Sequence, residues 1–350
     1  MRVGFDTSPL DPEHPHPPGI RRLVAELVGA LEEREGLDVV RLTPPTGVAL
    51  RTWRHKHLPR EVVSQKLIGI HSFLSAYPRR GPGLRVQTIH ELPWKHGVQE
   101  NADLKHRYWA SLGSRRADAV VTATEVVAKQ LRGNAFVRAT RVHVCPWGVS
   151  EVFQEEPPTG VIDEAVITRY TKSEDAIAFC PGAVRAKKNL DAVLRGLAHL
   201  RARNGPRIQL LISGEDTPDL RRSLGLASQL GLARWISTPG LVDEEDLPSV
   251  YRSASVVPVL STSEGFGLPV LEALGCGTPV VVPRGSAQAE VAGTSGFVVD
   301  PEDPESVADA LERALRERED LRYSLPDRAR ELSWARCAEQ IEALWMELAK

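Results

Sequence analysis

Ser261-Thr262-Ser263-Glu264-Gly265-Phe266-Gly267-Leu268-Pro269-Val270-Leu271-Glu272-Ala273-Leu274-Gly275-Cys276-Gly277-Thr278-Pro279-Val280-Val281 follows the apolar run Val256–Leu260 and runs into another, Pro279–Pro283. The two runs read as buried strands. Ser261–Gly267 then forms a loop at the carboxyl end of the first, with two glycines that let backbone approach a ligand. Pro269 suits a first helical turn, and Gly275 or Gly277 ends that helix. Free N–H groups at such a helix start favour an anion such as a phosphate. Glu264 and Glu272 place one carboxylate in the loop and one in the helix, acceptors able to hold paired sugar hydroxyls.

The same strand–loop–helix scheme repeats outward. Before residue 160 the strand-like runs are Arg2–Asp6, Asp38–Leu42, Leu67–Phe73, Arg85–Glu91, Ala119–Glu125 and Arg141–Pro146. After it they are Ala176–Pro181, Ile208–Ser213, Trp235–Thr238, Val256–Leu260, Pro279–Pro283 and Gly296–Asp300. Apolar runs alternating with amphipathic helices imply parallel sheets covered on both faces. Two series of six in 350 residues imply two doubly wound domains, with ligands at the carboxyl ends of the strands. The expected division is a first domain over 1–157, a linker over 158–175, a second domain over 176–330 and a C-terminal helix over 331–350 that returns to the first domain.

Composition narrows the function classes. Apolar residues make up 42% and charged residues 26%, the balance of a globular protein. The net charge of −2 supplies no global field for nucleic acid, and none is expected as a partner. Residues 1–160 hold 22 Lys and Arg against 17 Asp and Glu, and the remainder holds 22 against 29. An anionic partner on the N-terminal side would suit that asymmetry. The four cysteines, Cys145, Cys180, Cys276 and Cys337, show no metal or disulfide spacing, which suits a reducing, cytoplasmic setting. No run approaches a membrane span. The sequence has neither a dinucleotide G-x-G-x-x-G after the first strand nor a P-loop, and no D-x-D for a metal-held diphosphate. Neither a metal nor a resident cofactor is expected.

A second motif, Pro181-Gly182-Ala183-Val184-Arg185-Ala186-Lys187-Lys188-Asn189-Leu190, follows the Ala176–Cys180 run. Only nine of the 44 basic residues are lysines, so the adjacent pair stands out, and an ammonium on a flexible stem suits phosphate.

The Glu264–Glu272 stretch resembles the sugar-nucleotide-binding motif of the retaining GT-B-fold glycosyltransferases, in particular glycosyltransferase family 4. The resemblance implies a GT-B architecture, two Rossmann-like domains facing across a cleft. It implies transfer of a hexose-type sugar from a nucleotide-diphosphate sugar to a glycan or lipid-linked saccharide, in polysaccharide or lipopolysaccharide synthesis. It places Glu264 and the backbone of Gly265, Phe266 and Gly267 on the transferred sugar. Leu268 and the helix start meet the diphosphate, and Glu272 holds the ribose. It assigns Lys188, beside Lys187 and after Gly182, to the diphosphate, and puts Val242 near the base. Thr88-Ile89-His90-Glu91-Leu92 resembles the family's I-H-D-L segment, which makes His90 a candidate for contacting the sugar. His71 and Gly19 become acceptor-side or phosphate-loop candidates. Ala183, Arg21 and Trp147 depart from the family pattern. A GT-B phosphorylase and a catalytically silent sugar-nucleotide-binding subunit remain alternatives. Arg51–Arg60, basic with Trp53, is a candidate for peripheral contact with an anionic membrane face, and also resembles a family W-x-x-x-x-L-P segment that precedes a core helix.

Overall fold

In a computed structural model, residues 1–78, 80–100, 103–172 and 175–350 are described. They form two compact units, Met1–Gly148 with Leu332–Lys350, and Val149–Glu331. Positions 149–157, expected in the first domain, and the described part of 158–175 thus lie in the second unit; Ser173 and Glu174 fall outside the described residues. The reason is local packing. Phe153 sets its ring edge-on to Tyr251, and Arg252, buried, makes a two-pronged ion pair with Asp163.

The first unit is built on six parallel strands: β1 (Arg2–Asp6), β2 (Asp38–Leu42), β3 (Gly69–Ser72), β4 (Leu84–Thr88), β5 (Ala119–Thr122) and β6 (Val142–Val144). Their order across the sheet is β2-β1-β3-β4-β5-β6. β3 and β5 are buried at every position, as a sheet covered on both faces requires. One cover is the helix Pro18–Glu32, which buries Leu23, Val24, Leu27, Val28 and Leu31, a 3.6-residue stripe. The helix Trp334–Leu348 packs against it. Ser333 caps that helix, accepting from Arg336 N, and the helix sinks Trp334, Ile341, Leu344 and Trp345 into the core. Each such side chain contributes about 1.5–3 kcal/mol on burial. A Cβ on Gly148 would lie 2.0 Å from the Trp334 nitrogen, so only glycine lets the two backbone segments meet.

The second unit carries β7 (Ala176–Cys180), β8 (Ile208–Ser213), β9 (Ile236–Gly240), β10 (Val257–Pro258), β11 (Val280–Pro283) and β12 (Gly296–Val299). They pair in two parallel triplets, β7-β8-β9 and β10-β11-β12. A parallel bridge between Ala178 and Val256 joins the triplets, with Phe179 N donating to Val256 O at 3.0 Å. The running order is therefore β9-β8-β7-β10-β11-β12, the doubly wound order whose ligand crevice opens where the winding reverses, between β7 and β10. The core beneath includes Val193, Leu197, Leu210, Ile212 and Val281.

Candidate functional site

The loops that follow β7 and β10 are the two motifs singled out in the sequence, and the fold brings them together at the switch point. After β7 the chain turns through Gly182, whose φ of +82° favours glycine. It passes through a single turn, Ala186–Lys188, and reaches Asn189 at φ +53° before the helix Leu190–Ala202. Gly214, after β8, holds this turn from behind. At φ +143°, a Cβ there would lie 2.7 Å from Ala183 Cα.

After β10, the helix Leu268–Gly275 starts at Leu268 with Gly267 as its cap at φ +99°. Phe266 is buried and anchors the loop. Gln288, fully buried and not singled out from sequence, donates from Nε2 to Ser261 O at 3.0 Å. A Cβ on Gly267 would lie 3.2 Å from Gln288 Cγ. Gln288 thus braces both ends of the loop; the signal for it was its place two residues after the capping Ser286.

Hydrogen bonds tie the loops to each other. Thr262 N donates to Lys187 O at 2.8 Å, and Lys188 Nζ donates to Glu264 Oε1 at 2.8 Å. Burial pushes the Glu264 carboxyl up, but the charges of Lys188 and Lys187 outweigh it and hold the group below the usual carboxylate range. Glu264 is therefore ionised at neutral pH, with its side chain 16% exposed. A small crevice opens here, lined by Pro181, Gly182, Lys188, Leu190, Ser261 and Pro269 among others. A cation and an ionised carboxylate beside a helix start can together hold an anionic, hydroxyl-bearing ligand.

The remaining second-unit candidates lie around this centre. Glu272, on the helix, is buried, and its Oε2 accepts from Tyr251 at 2.7 Å. Tyr251, itself buried, was not picked out from the sequence. Val242 N donates to Ser213 Oγ at 3.0 Å, which fixes the turn after β9.

The first-unit candidates take different parts. His90, after β4, has its Nε2 2.6 Å from Phe73 O and its ring 5.0 Å from Trp147. Burial pulls its pKa down to about 4. A carbonyl only accepts, so Nε2 carries the proton and Nδ1 is the acceptor, buried without a partner among the described residues. His71 is a correction to the acceptor-side expectation. On β3 it is fully buried, stacked on Phe73 at 4.9 Å, with Nε2 2.9 Å from Thr88 Oγ1. Burial brings its pKa to about 3, so it serves as a neutral core residue. Gly19 is exposed in the first turn of the helix beginning at Pro18, with open space where a Cβ would stand. In the basic stretch Arg51–Arg60 the aromatic side chain turns inward. Trp53 is buried and donates from Nε1 to Asp6 Oδ1 at 3.1 Å, and Arg54 and Leu58 are buried too. The aromatic anchor is committed to the core, leaving Arg51, His55, Lys56 and Arg60 outside. No helix among the described residues is long and apolar enough to cross a membrane. Among the same residues no three His, Cys, Asp or Glu side chains gather as a metal site.

Comparison with known proteins agrees with this geometry. The sequence profile of the family described as glycosyl transferases group 1 matches residues 164–332. A D-inositol 3-phosphate glycosyltransferase of Corynebacterium jeikeium is 31% identical over 320 residues, spanning 82% of this chain and 74% of the relative. The O-antigen chain mannosyltransferase B of Escherichia coli is 30% identical over 178 residues, 50% of this chain and 47% of the relative. Among solved structures, sucrose-phosphate synthase from Thermosynechococcus elongatus superposes with a TM-score of 0.73 at 20% identity, covering 99% of each chain. An Anabaena protein in complex with UDP-glucose gives 0.73 at 15% identity, covering 99% of this chain and 100% of its own. The fold, the motif-bearing loops at the switch point and these relatives lead to one assignment: the chain belongs to the glycosyl transferases group 1 and is a glycosyltransferase of GT-B fold.

Proposed function

We propose that the protein transfers a hexose-type sugar, with retention, from a nucleoside diphosphate sugar to a hydroxyl of a glycan or lipid-linked saccharide in cell-surface polysaccharide synthesis. The observation that carries this reading is the Lys188–Glu264 pair, set between two strand ends at the switch point. Lys188, with the helix start at Leu268, neutralises the diphosphate as the anomeric C–O bond breaks. Glu264 orients hydroxyls of the sugar. The acceptor oxygen bonds the same face of the anomeric carbon, and its proton passes to the departing phosphate oxygen. Glu272 holds the ribose, and its bond to Tyr251 fixes the carboxylate for that task. His90, a neutral ring, helps position the hydroxyl on the acceptor side. Relatives named as a D-inositol 3-phosphate glycosyltransferase and an O-antigen chain mannosyltransferase, and the UDP-glucose complex of a structural neighbour, support the donor and acceptor classes. A peripheral, cytoplasmic location at the inner membrane face fits a lipid-linked acceptor.

The test is thermal unfolding with a panel of nucleoside diphosphates and sugar nucleotides in EDTA, for wild type and Glu272→Ala. A ligand at a hundred times its dissociation constant stabilises by about 2.7 kcal/mol. One base should raise the midpoint in wild type and fail to in the variant. Proton NMR of the product should then show the donor's anomeric configuration. No shift with any nucleotide would overturn the donor-site reading, and an inverted product would overturn retention.

A further inference from the structure

At the opposite ends of the second unit's strands lies a second cavity, of about 540 Å³. It is framed by Thr171, Lys172 and Asp175 ahead of β7 and by the amino ends of β8 and β9, whereas the donor motifs follow the carboxyl ends of β7 and β10. Its lining holds three cations, Lys172, Arg207 and Arg234. None of them makes an ion pair among the described residues, while neighbouring Arg203 is bonded to both Asp309 and Glu312. One carboxylate, Asp175, also reaches the lining.

Neutral donors converge on the same space. Gln209 on β8 is 9% exposed. It lines the cavity. Trp235 lines it too, and its buried Nε1–H is unsatisfied. Arg201, Arg234 and Arg207 stand 4.7, 5.2 and 5.9 Å from the centre of the Trp235 ring. Cation–π contact positions these guanidinium groups while leaving their charge uncompensated. The buried Trp235 N–H without a partner costs about 1–3 kcal/mol. Three cations held close together also repel one another. Both costs fall when an acceptor-rich anion enters.

We propose that this cavity is a second, non-catalytic site for a small soluble phosphate ester. A phosphomonoester carries a charge near −2 and three acceptor oxygens, which suits this set better than a carboxylate with two. Arg207 and Arg234 present forks for bidentate contact, Lys172 adds a point charge, and the Gln209 amide and the Trp235 N–H complete the donor set. This proposal stands independently of the donor and acceptor assigned above, because no residue is shared with the Lys188–Glu264 site.

The experiment is isothermal titration of the full chain with glycerol 3-phosphate, with glycerol as the uncharged control. The proteins are wild type, Arg207→Glu/Arg234→Glu, Gln209→Leu and Lys188→Ala. Arg207 and Arg234 are exposed, and circular dichroism verifies that the double variant is folded. The expected result is one site in wild type, affinity at least tenfold weaker in the double variant, weaker in Gln209→Leu and unchanged in Lys188→Ala. Sugar transfer without the phosphate ester should be the same in the double variant as in wild type. Absence of binding at millimolar ligand, retained affinity in the double variant, or loss in Lys188→Ala would each overturn the proposal. So would binding confined to phosphatidylglycerol vesicles, which would make the patch a membrane contact.

Discussion

Lys188 Nζ lies 2.8 Å from Glu264 Oε1 across two loops separated by 76 residues of chain. The ammonium keeps a carboxylate ionised where burial alone would protonate it. Lys188→Ala should therefore raise the Glu264 pKa, as read by carboxyl carbon NMR. Removing one preorganised positive donor from a developing anion costs about 10²–10³ in kcat, and that loss should appear at saturating donor. The pH sense follows from the lowered pKa. The pair's contribution to stability is complete above the ordinary glutamate range and is lost as pH falls through the folded value. The wild-type midpoint should drop more steeply below pH 4.5 than that of Lys188→Ala.

Tyr251 and Glu272 form a buried pair of a different kind. Tyr251→Phe leaves the carboxylate short of a donor, at a cost of about 1–3 kcal/mol. Urea unfolding should show that loss as an earlier midpoint with an unchanged slope. Nucleotide affinity should weaken as well, since the carboxylate is freed to reorient. If stability falls with no change in nucleotide affinity, Tyr251 acts only in the core.

Gly214→Ala places a methyl group 2.7 Å from the Ala183 backbone at a φ of +143°. The turn carrying Lys188 must shift, and donor KM should rise several-fold along with a stability loss. At Gly182 the Cβ meets no neighbour, so Gly182→Ala meets only the conformational penalty of about 1–2 kcal/mol. Comparing the two variants by donor KM and denaturant midpoint separates displacement from strain.

His71 and His90 are held neutral, with pKa values of about 3 and about 4 against the ordinary 6.5. The unfolded chain binds protons at these sites first. Their contribution to stability is complete above pH 6.5 and is lost as pH falls toward those folded values. The slope approaches about 1.4 kcal/mol per pH unit for each residue. His71→Gln should flatten the decline of Tm between pH 6.5 and 4. The pH profile of kcat/KM should show no break near 6.5 from His90.

All twelve strand-like runs overlap a strand, and the Glu264–Glu272 stretch does form the loop and helix expected of it. The legibility is physical. Strands buried on both faces appear as unbroken β-branched runs, and glycines at positive φ punctuate the strand ends. What sequence could not reveal is which way a polar side chain faces. His71 sits at a strand's end like His90, yet its strand position turns it onto Phe5 and Phe73. Trp53 and Arg54 read as an amphipathic basic patch, whereas a turn of π-helix over Trp53–His57 rotates both inward. Tyr251, Gln288 and the Trp235 cavity depend on contacts between distant segments, and no local pattern announces those.

The first unit is discontinuous in the chain, closed by Leu332–Lys350. On the ribosome, residues 1–148 emerge first but lack the helix that supplies Trp334, Ile341 and Trp345. Residues 149–331, an uninterrupted unit, leave the exit tunnel with every one of their own strands and helices. The first unit thus waits, its helix-binding apolar surface bare, until Leu332–Lys350 has also emerged. A nascent chain stalled before that point should bind a chaperone that recognises exposed apolar surface, and the completed chain should release it.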